Sequence, residues 1–331
     1  MTTSGPPPAT EAVVLTDASQ IGEARRAVAA LCGRLGLDET TTGQASLLAT
    51  EAATNVIRHA GTGELLFRPL PSAPGVEIVT LDRGPGIADV ARAMEDGHST
   101  SGTPGNGLGA MRRMSTTFDI YSRPGQGTAV LMRLGPPSRI ALGVVNLPYP
   151  GETECGDAWQ LEERPYGFRL VVVDGLGHGP QARESALRAL EGAARGPESP
   201  ERALEEAHAA SRSVRGSAIA VAEVDLRQRE IRYAGIGNVA AQILEPGTSR
   251  SLVSMNGTAG QGTARIRPFT YPFASGAVLV MFSDGLASRW SLEHQPGLLA
   301  RHPSLIAGVL YRDHSRRRDD VTVVALRLEA P

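Results

Sequence analysis

Four residues near the middle of the chain, Gly135-Pro136-Pro137-Ser138, separate two strand-like runs, TAVLMRL before them and RIALGVVNL after. Consecutive prolines fix φ and remove backbone donors, so neither a helix nor a sheet ladder continues through them. In a chain of 331 residues this break leaves two pieces, each long enough to bury a core of its own. The expected domains are 11–134 and 139–329. In the first, helical periods at 21–35 and 45–60 precede the strand VEIVTLD and a glycine-rich stretch, which predicts a two-layer α/β sandwich with helices on a mixed sheet. In the second, the runs LVVVD, SAIAVAEVDL, EIRYAGI, VAAQIL, AVLVMFSDG and DDVTVVALRL are interrupted by helical stretches at 181–195 and 200–212. Many strands with few helices predict an α+β domain, a β-sandwich flanked by helices. The first dozen residues, rich in Pro and Thr, read as a disordered tail.

A formal charge of -2 and a pI near 6.4 offer no basic surplus for nucleic acid. Cys32 and Cys155 are far apart, and the start MTTSGPPPAT has no basic, apolar leader, so a reducing cytoplasm is expected. No apolar run approaches the ~20 residues of a membrane span. All 33 basic residues are arginine. Without lysine, neither a Walker-type phosphate loop nor a eukaryotic-type kinase lysine is possible, and nucleotide chemistry needs another design.

Such a design is present. Glu51, Asn55 and His59 recur every four residues and share a helix face beside the apolar stripe Leu48, Ala52 and Val56, with Gly61 as a stop signal. Taken alone, that line reads equally as a solvated face. Asp82-Arg83-Gly84-Pro85-Gly86 follows the strand VEIVTL, and Gly105-Asn106-Gly107-Leu108-Gly109 opens the helical AMRRM. Alternating glycines bare backbone N–H groups for an anion, and a helix N-terminus adds partial positive charge.

The order Glu-x-x-x-Asn, Asp-x-Gly-x-Gly, Gly-x-Gly-x-Gly resembles the GHKL (Bergerat-fold) ATPase and histidine-kinase superfamily. MEDGHSTSG before the lid and GQGT near residue 128 narrow the resemblance to the RsbT-like anti-sigma regulatory serine/threonine kinases, over residues 11 to 134. The resemblance implies ATP with Mg²⁺ as cofactor. Asn55 would hold the Mg²⁺, Asp82 would accept the adenine amino group, and Thr128 would support the base. Gly84 and Gly86 would shape the adenine pocket, and Gly105, Gly107, Leu108 and Gly109 would cover the phosphates. Glu51 would be the general base for an incoming serine or threonine hydroxyl.

In the second half, Asp157 lies in ECGDAW, Asp174 ends LVVVD, Asp284 ends AVLVMFS, and Asp319-Asp320 begins the last strand. Singly, acids at strand ends are turn-formers. As a set they suit two hard divalent ions about 3.5 to 4 Å apart that activate a water. CGD, VVVDGLGHG, MFSDGL and DDVTVV, with GIGN and NGTAG, resemble the PPM-type phosphatases of the SpoIIE group, RsbX-like ones above all, over 139 to 329. That resemblance implies two Mn²⁺ or Mg²⁺ ions on Asp157, Asp174, the Gly175 carbonyl, Asp284 and Asp319, with Asp157 and Asp174 catalytic. Asp319 is chosen over Asp320 because the first acid of the pair aligns with the family ligand. His178 is open between proton donor and loop stabiliser, His208 is expected on the surface, and Cys155 is expected as a small packed residue. The two resemblances imply a kinase and a phosphatase acting on a STAS-domain antagonist or stressosome protein, with a sigma factor or a separate phosphatase as further partners. The alternatives are an ATP-gated adaptor controlling the phosphatase, and a phosphatase for a small molecule.

Overall fold

The computed structural model describes residues 9–71, 73–95, 107–196, 199–262 and 265–329. They form two compact units, and the chain passes between them more than once: residues 8–139 and 300–312 make one unit, 140–299 and 313–331 the other.

The first unit opens with β1 (Glu11–Leu15), α1 (Ser19–Arg34) and α2 (Glu39–Ala60). There follow β2 (Gly63–Pro69), β3 (Val76–Asp82), the single turn α3 (Val90–Ala93), α4 (Gly107–Met114), β4 (Thr117–Arg123) and β5 (Gly127–Leu134). The sheet order is β1-β2-β3-β5-β4. Every pairing in it is antiparallel, which corrects the expected mixed sheet. The chain crosses from β3 to β4 and β5 then fills the place between them, antiparallel to both, so no two neighbouring strands run parallel. Glu11 and Ala12, expected in a tail, are strand residues paired with Phe67 and Leu66. Asp38 caps α2 by accepting the Thr41 amide at 2.9 Å. The stripe Ala45, Leu48, Ala49, Ala52 and Val56 packs with Val28 and Leu31 of α1 on Leu65, Ile78, Val130 and Met132 of the sheet. Alternation along the strands therefore sends Arg68, Glu77, Val79, Leu81, Leu131 and Arg133 to the opposite face, where they too are buried.

The second unit begins with β6 (Leu142–Leu147), β7 (Asp157–Arg164), β8 (Gly167–Gly175), α5 (Pro180–Arg195) and α6 (Pro200–Ala210). It continues through β9 (Ser217–Asp225), β10 (Glu230–Ile236), β11 (Ala240–Glu245), β12 (Thr248–Leu252), β13 (Phe269–Pro272) and β14 (Ala277–Phe282). The chain then crosses to the first unit for most of α7 (Pro303–His314) and returns for β15 (Val321–Leu328). Two antiparallel sheets, β13-β10-β9-β8-β7 and β12-β11-β14-β15-β6, form the sandwich. Leu170 and Val172 face the inter-sheet core with Leu279 and Val324. Val171 and Val173 face α5 and α6, against Ala186, Ala189 and Leu204. Burial on both faces explains why LVVVD is apolar without alternation.

Helix α7 was not legible in the sequence. Every residue from Pro303 to Arg312 is buried, so SLIAGVLY lacks the polar face by which a helical period is recognised. Residues 300–312 belong to the first unit and pack on its second sheet face. A Cβ added at Gly308 would lie 3.0 Å from the Leu81 side chain. On that face Arg68 and Arg133 are the direct cross-strand partners of Glu77. Their Nε atoms donate to it at 2.7 and 2.6 Å. Ser304 of α7 donates to the same carboxylate at 2.7 Å. No helix among the described residues is long and apolar enough to cross a membrane.

Candidate functional site

In the first unit the nucleotide candidates gather around the end of α2. With its apolar stripe buried, Glu51 and Asn55 sit half-buried and His59 exposed. Gly107, the first residue of α4, lies over Asn55, where a Cβ would stand 3.3 Å from the amide nitrogen. Five residues on, roughly 7 Å along the helix axis, Ala60 packs against Gly84, where a Cβ would come within 2.6 Å. Asp82 ends β3 beside it. Its Oδ1 accepts the Gly84 amide at 2.8 Å and the Thr128 amide at 3.1 Å. Burial raises the proton affinity of Asp82, and those two amides with the charges of Arg312 and His59 oppose it.

The loop after Asp82 is pinned to the β4-β5 hairpin. Ile87 donates to the Ser122 hydroxyl at 2.8 Å, and that hydroxyl lies 2.8 Å from the Thr128 hydroxyl. Gly86 has φ +71°, and a side chain there would strike the Arg123 carbonyl at 2.0 Å. The structure thus brings Asp82, Gly84, Gly86 and Thr128 together, and sets Asn55 beside Gly107. Leu108 and Gly109 follow in the first turn of α4. Gly105 lies outside the described residues.

In the second unit, strand register brings the first two acids together, since Asp157 of β7 pairs directly with Asp174 of β8. Asp157 is buried, and its Oδ2 accepts the Ser283 hydroxyl at 2.6 Å. The Ser283 oxygen in turn accepts the Thr322 amide at 2.9 Å. Arg183 of α5 donates to the Asp157 carbonyl at 3.0 Å. Asp284 accepts Asn238 Nδ2 at 2.6 Å. Asp320 Oδ1 accepts the Tyr149 amide at 2.8 Å. Its Oδ2 is buried without an aligned donor, although the Gly156 amide and Cys155 thiol lie close enough to lower its proton affinity against burial. Gly156 is required there, because a Cβ would fall 2.5 Å from that oxygen. The Gly175 amide donates to the Gly156 carbonyl at 3.2 Å, which ties the end of β8 to the residue before Asp157.

Burial, and behind it the charges of Asp157, Asp284, Asp319 and Asp320, pushes Asp174 up to about 9. Burial also lifts Asp157, to about 7, against its bond from Ser283. Burial and Asp284 raise Asp319. Five carboxylates are therefore within electrostatic reach of one another. Among the described residues no three His, Cys, Asp or Glu side chains already stand in ligating geometry around a single point. An all-oxygen donor set and mutual repulsion among the acids fit a hard divalent cation.

Other residues depart from, or refine, the sequence reading. His178 hydrogen-bonds Glu152 at 2.9 Å and stacks on Tyr149 with ring centroids 4.5 Å apart, an arrangement that ties down its loop. His208, expected on the surface, is buried, and its Nδ1 accepts the Gly260 amide at 3.1 Å; the α6 face carrying it packs inward at the turn after Ala259. Cys155 is buried, and burial first, then Asp157 and Asp320, pushes its thiol well above the usual range, which is the reverse of an activated nucleophile. Ser283, Asn238, Thr322, Arg183 and Arg312 escaped the sequence reading. Ser283 and Thr322 adjoin the predicted acids and Asn238 closes the GIGN motif, though without an assigned role; nothing in the sequence marks Arg183 or Arg312.

Residues 14–134 match the family model described as histidine kinase-like ATPase domain, and residues 164–329, half of the chain, match that of stage II sporulation protein E (SpoIIE). The chain is 37% identical over 83 residues to the serine/threonine-protein kinase RsbT of Bacillus subtilis (strain 168), a similarity that takes in 24% of this chain and spans 62% of RsbT. Two solved structures share the fold. A chain from work on the bacterial stressosome, as a modular system adapted to control secondary messenger signaling, superposes with TM-score 0.53 and 24% identity, covering 57% of this chain and all of that one. The PP2C phosphatase domain with a fragment of the regulatory domain of the cell fate determinant SpoIIE from Bacillus subtilis gives TM-score 0.50 at 16% identity, covering 96% of this chain and 99% of that one. A histidine kinase-like ATPase domain followed by a PPM-type sandwich is thus the architecture of this chain, which belongs to the SpoIIE family.

Proposed function

We propose that the chain is a bifunctional enzyme that phosphorylates serine or threonine on a STAS-domain regulator through its first unit and removes that phosphate through its second. The observation that carries the phosphatase half is the pairing of buried Asp157 with Asp174 within electrostatic reach of Asp284, Asp319 and Asp320. In this reading Asp157, Asp174, the Gly175 carbonyl, Asp284 and Asp319 hold two Mn²⁺ or Mg²⁺ ions. When bound, such ions neutralise phosphate charge and lower the pKa of a water. Asp320, more buried than Asp319 and bonded to Tyr149, holds the loop beside them. Ser283 and Asn238 orient Asp157 and Asp284.

For the kinase half, likeness to RsbT supports Glu51 as general base and Asn55 as the Mg²⁺ ligand. The amides of Gly84 and Thr128 fix the Asp82 carboxylate, so that it presents an acceptor to the adenine amino group. Gly107, Leu108 and Gly109, continuing from Gly105, would cover the phosphates. Likeness to RsbT supports a partner-switching role in the cytoplasm, with a STAS-domain or stressosome protein as substrate and a sigma factor or separate phosphatase downstream.

A second reading has its own support. Residues 300–312, from the segment matching SpoIIE, complete the core of the ATP-binding unit, which suits an ATP-gated controller of the phosphatase rather than a kinase. Incubating the Asp157→Ala protein with labelled ATP and a STAS-domain partner separates the two. Label on the partner supports the kinase; bound ATP without transfer supports the controller. The Glu51→Ala protein is expected to strip phosphate from the phosphorylated partner in Mn²⁺, and failure in a folded sample would count against the phosphatase.

A further inference from the structure

We infer that Arg312 is a positioning residue of the nucleotide site, so that the ATP-binding unit depends for its affinity on a helix delivered by the SpoIIE segment. The inference rests on the reading of Asp82 as the base anchor. Its own observations are a pair of reciprocal hydrogen bonds and the register of α7 on β3.

The Arg312 guanidinium donates Nη1–H to the Asp82 main-chain carbonyl at 2.9 Å, and the Arg83 guanidinium donates to the Arg312 carbonyl. Each segment thus holds the other's backbone with a charged side chain, and a charged donor to a carbonyl is among the stronger neutral-acceptor bonds. Arg312 is 5% exposed, so water does not compete for this bond. Gly127, with φ +87°, lies against the same peptide, where a Cβ would stand 2.0 Å from the Asp82 carbonyl oxygen. The peptide from Asp82 to Arg83 is therefore held by both the β5 backbone and Arg312. The Asp82 carboxylate projects from this clamped backbone toward the Gly84 and Thr128 amides, and the Arg312 charge favours its ionised, accepting form.

Register shows that the clamp is built rather than incidental. Ser304 bonds Glu77, Gly308 lies against Val79 and Leu81, and Arg312 bonds Asp82. Four residues of helix advance about 6 Å and two of strand about 6.6 Å, so positions 304, 308 and 312 keep step with positions 77 to 82. Tyr311 adds a bond from its hydroxyl to Glu64 on the neighbouring strand at 2.8 Å. The helix ends where the base would be anchored.

The test uses the full chain and Mg²⁺·ATP binding followed by calorimetry, without turnover. Arg312→Gln is expected to weaken ATP and ADP by the same factor, about tenfold. Arg312→Lys, which keeps charge and a donor, should recover part of the loss, a rescue that general loosening of the helix would not give. If wild type binds ATP and folded Arg312→Gln binds equally tightly, the inference fails while the nucleotide reading survives. If wild type binds no nucleotide, both fail. Should Arg312→Gln not fold, hydrogen exchange on the wild-type chain decides the matter. By linkage, ATP must slow exchange of the amides from 304 to 312 if they support its site; unchanged exchange there, with slowed exchange around Thr128, overturns the proposal.

Discussion

Asn238 shows how a single side chain sets an acid's usefulness. Its amide holds one oxygen of Asp284 at 2.6 Å and thereby restricts how the carboxylate can turn. Asn238→Ala is expected to lower Mn²⁺ affinity by roughly 10 to 100-fold with an unchanged fold, measured by metal titration rather than by turnover. The acids themselves predict a pH dependence. Burial and neighbouring charge hold Asp157 and Asp174 at about 7 and about 9, against the ordinary 3.8 of an aspartate. From that lower value up to about 9 the folded state therefore binds more protons than the unfolded chain, and its stability falls as pH rises through this window. In metal-free buffer, melting scans should show the midpoint dropping across it, and Asp174→Asn should flatten the drop. Added Mn²⁺ should raise the midpoint most at the alkaline end. The acids were legible because each follows or precedes an apolar strand run and adjoins Gly or a second Asp. Their supports were not, because Asn238 and Asp284 meet only through the pairing of distant strands.

At the level of elements, the Arg68–Glu77–Arg133 ladder is the most consequential arrangement on the sheet face covered by α7. Burial disfavours the Glu77 carboxylate, yet Arg68 and Arg133 outweigh it and bring it down to about 2. Removing the carboxylate strands two buried guanidinium groups. Glu77→Gln is expected to cost about 3–5 kcal/mol, read from denaturant unfolding, whereas Ser304→Ala removes one neutral donor and should cost about 1 kcal/mol. A depressed acid contributes stability above its unfolded value near 4.5 and loses it as pH falls toward about 2, so Glu77→Gln should also flatten the acid limb of the stability curve. Legibility was uneven here for physical reasons. Helices α1 and α2 and strands β3, β8, β9 and β14 carry strong period or strong apolarity, and α5 and α6 have clear amphipathic faces. Strand β4, TFDIYSR, and helix α7 carry neither signal, since the first is half polar on both faces and the second is buried all round.

For the whole molecule, the order of segments matters more than the linker that first divided it. Cutting within 135–138 removes one of the covalent crossings and leaves residues 300–312 in the core of the first unit. The two fragments are expected to co-elute in size exclusion and to separate only in denaturant; separation in native buffer would contradict the placement of α7. The same placement has a consequence for birth on the ribosome. The sheet formed by residues before 139 stays uncovered on one face until residue 300 has been made, a delay on the order of ten to thirty seconds at ordinary elongation rates. During that interval Leu131, Val79 and Leu81 stand open to other nascent chains, so shelter by a chaperone, or fast rather than slow synthesis of the stretch between residues 139 and 300, would decide how much of the protein is recovered intact.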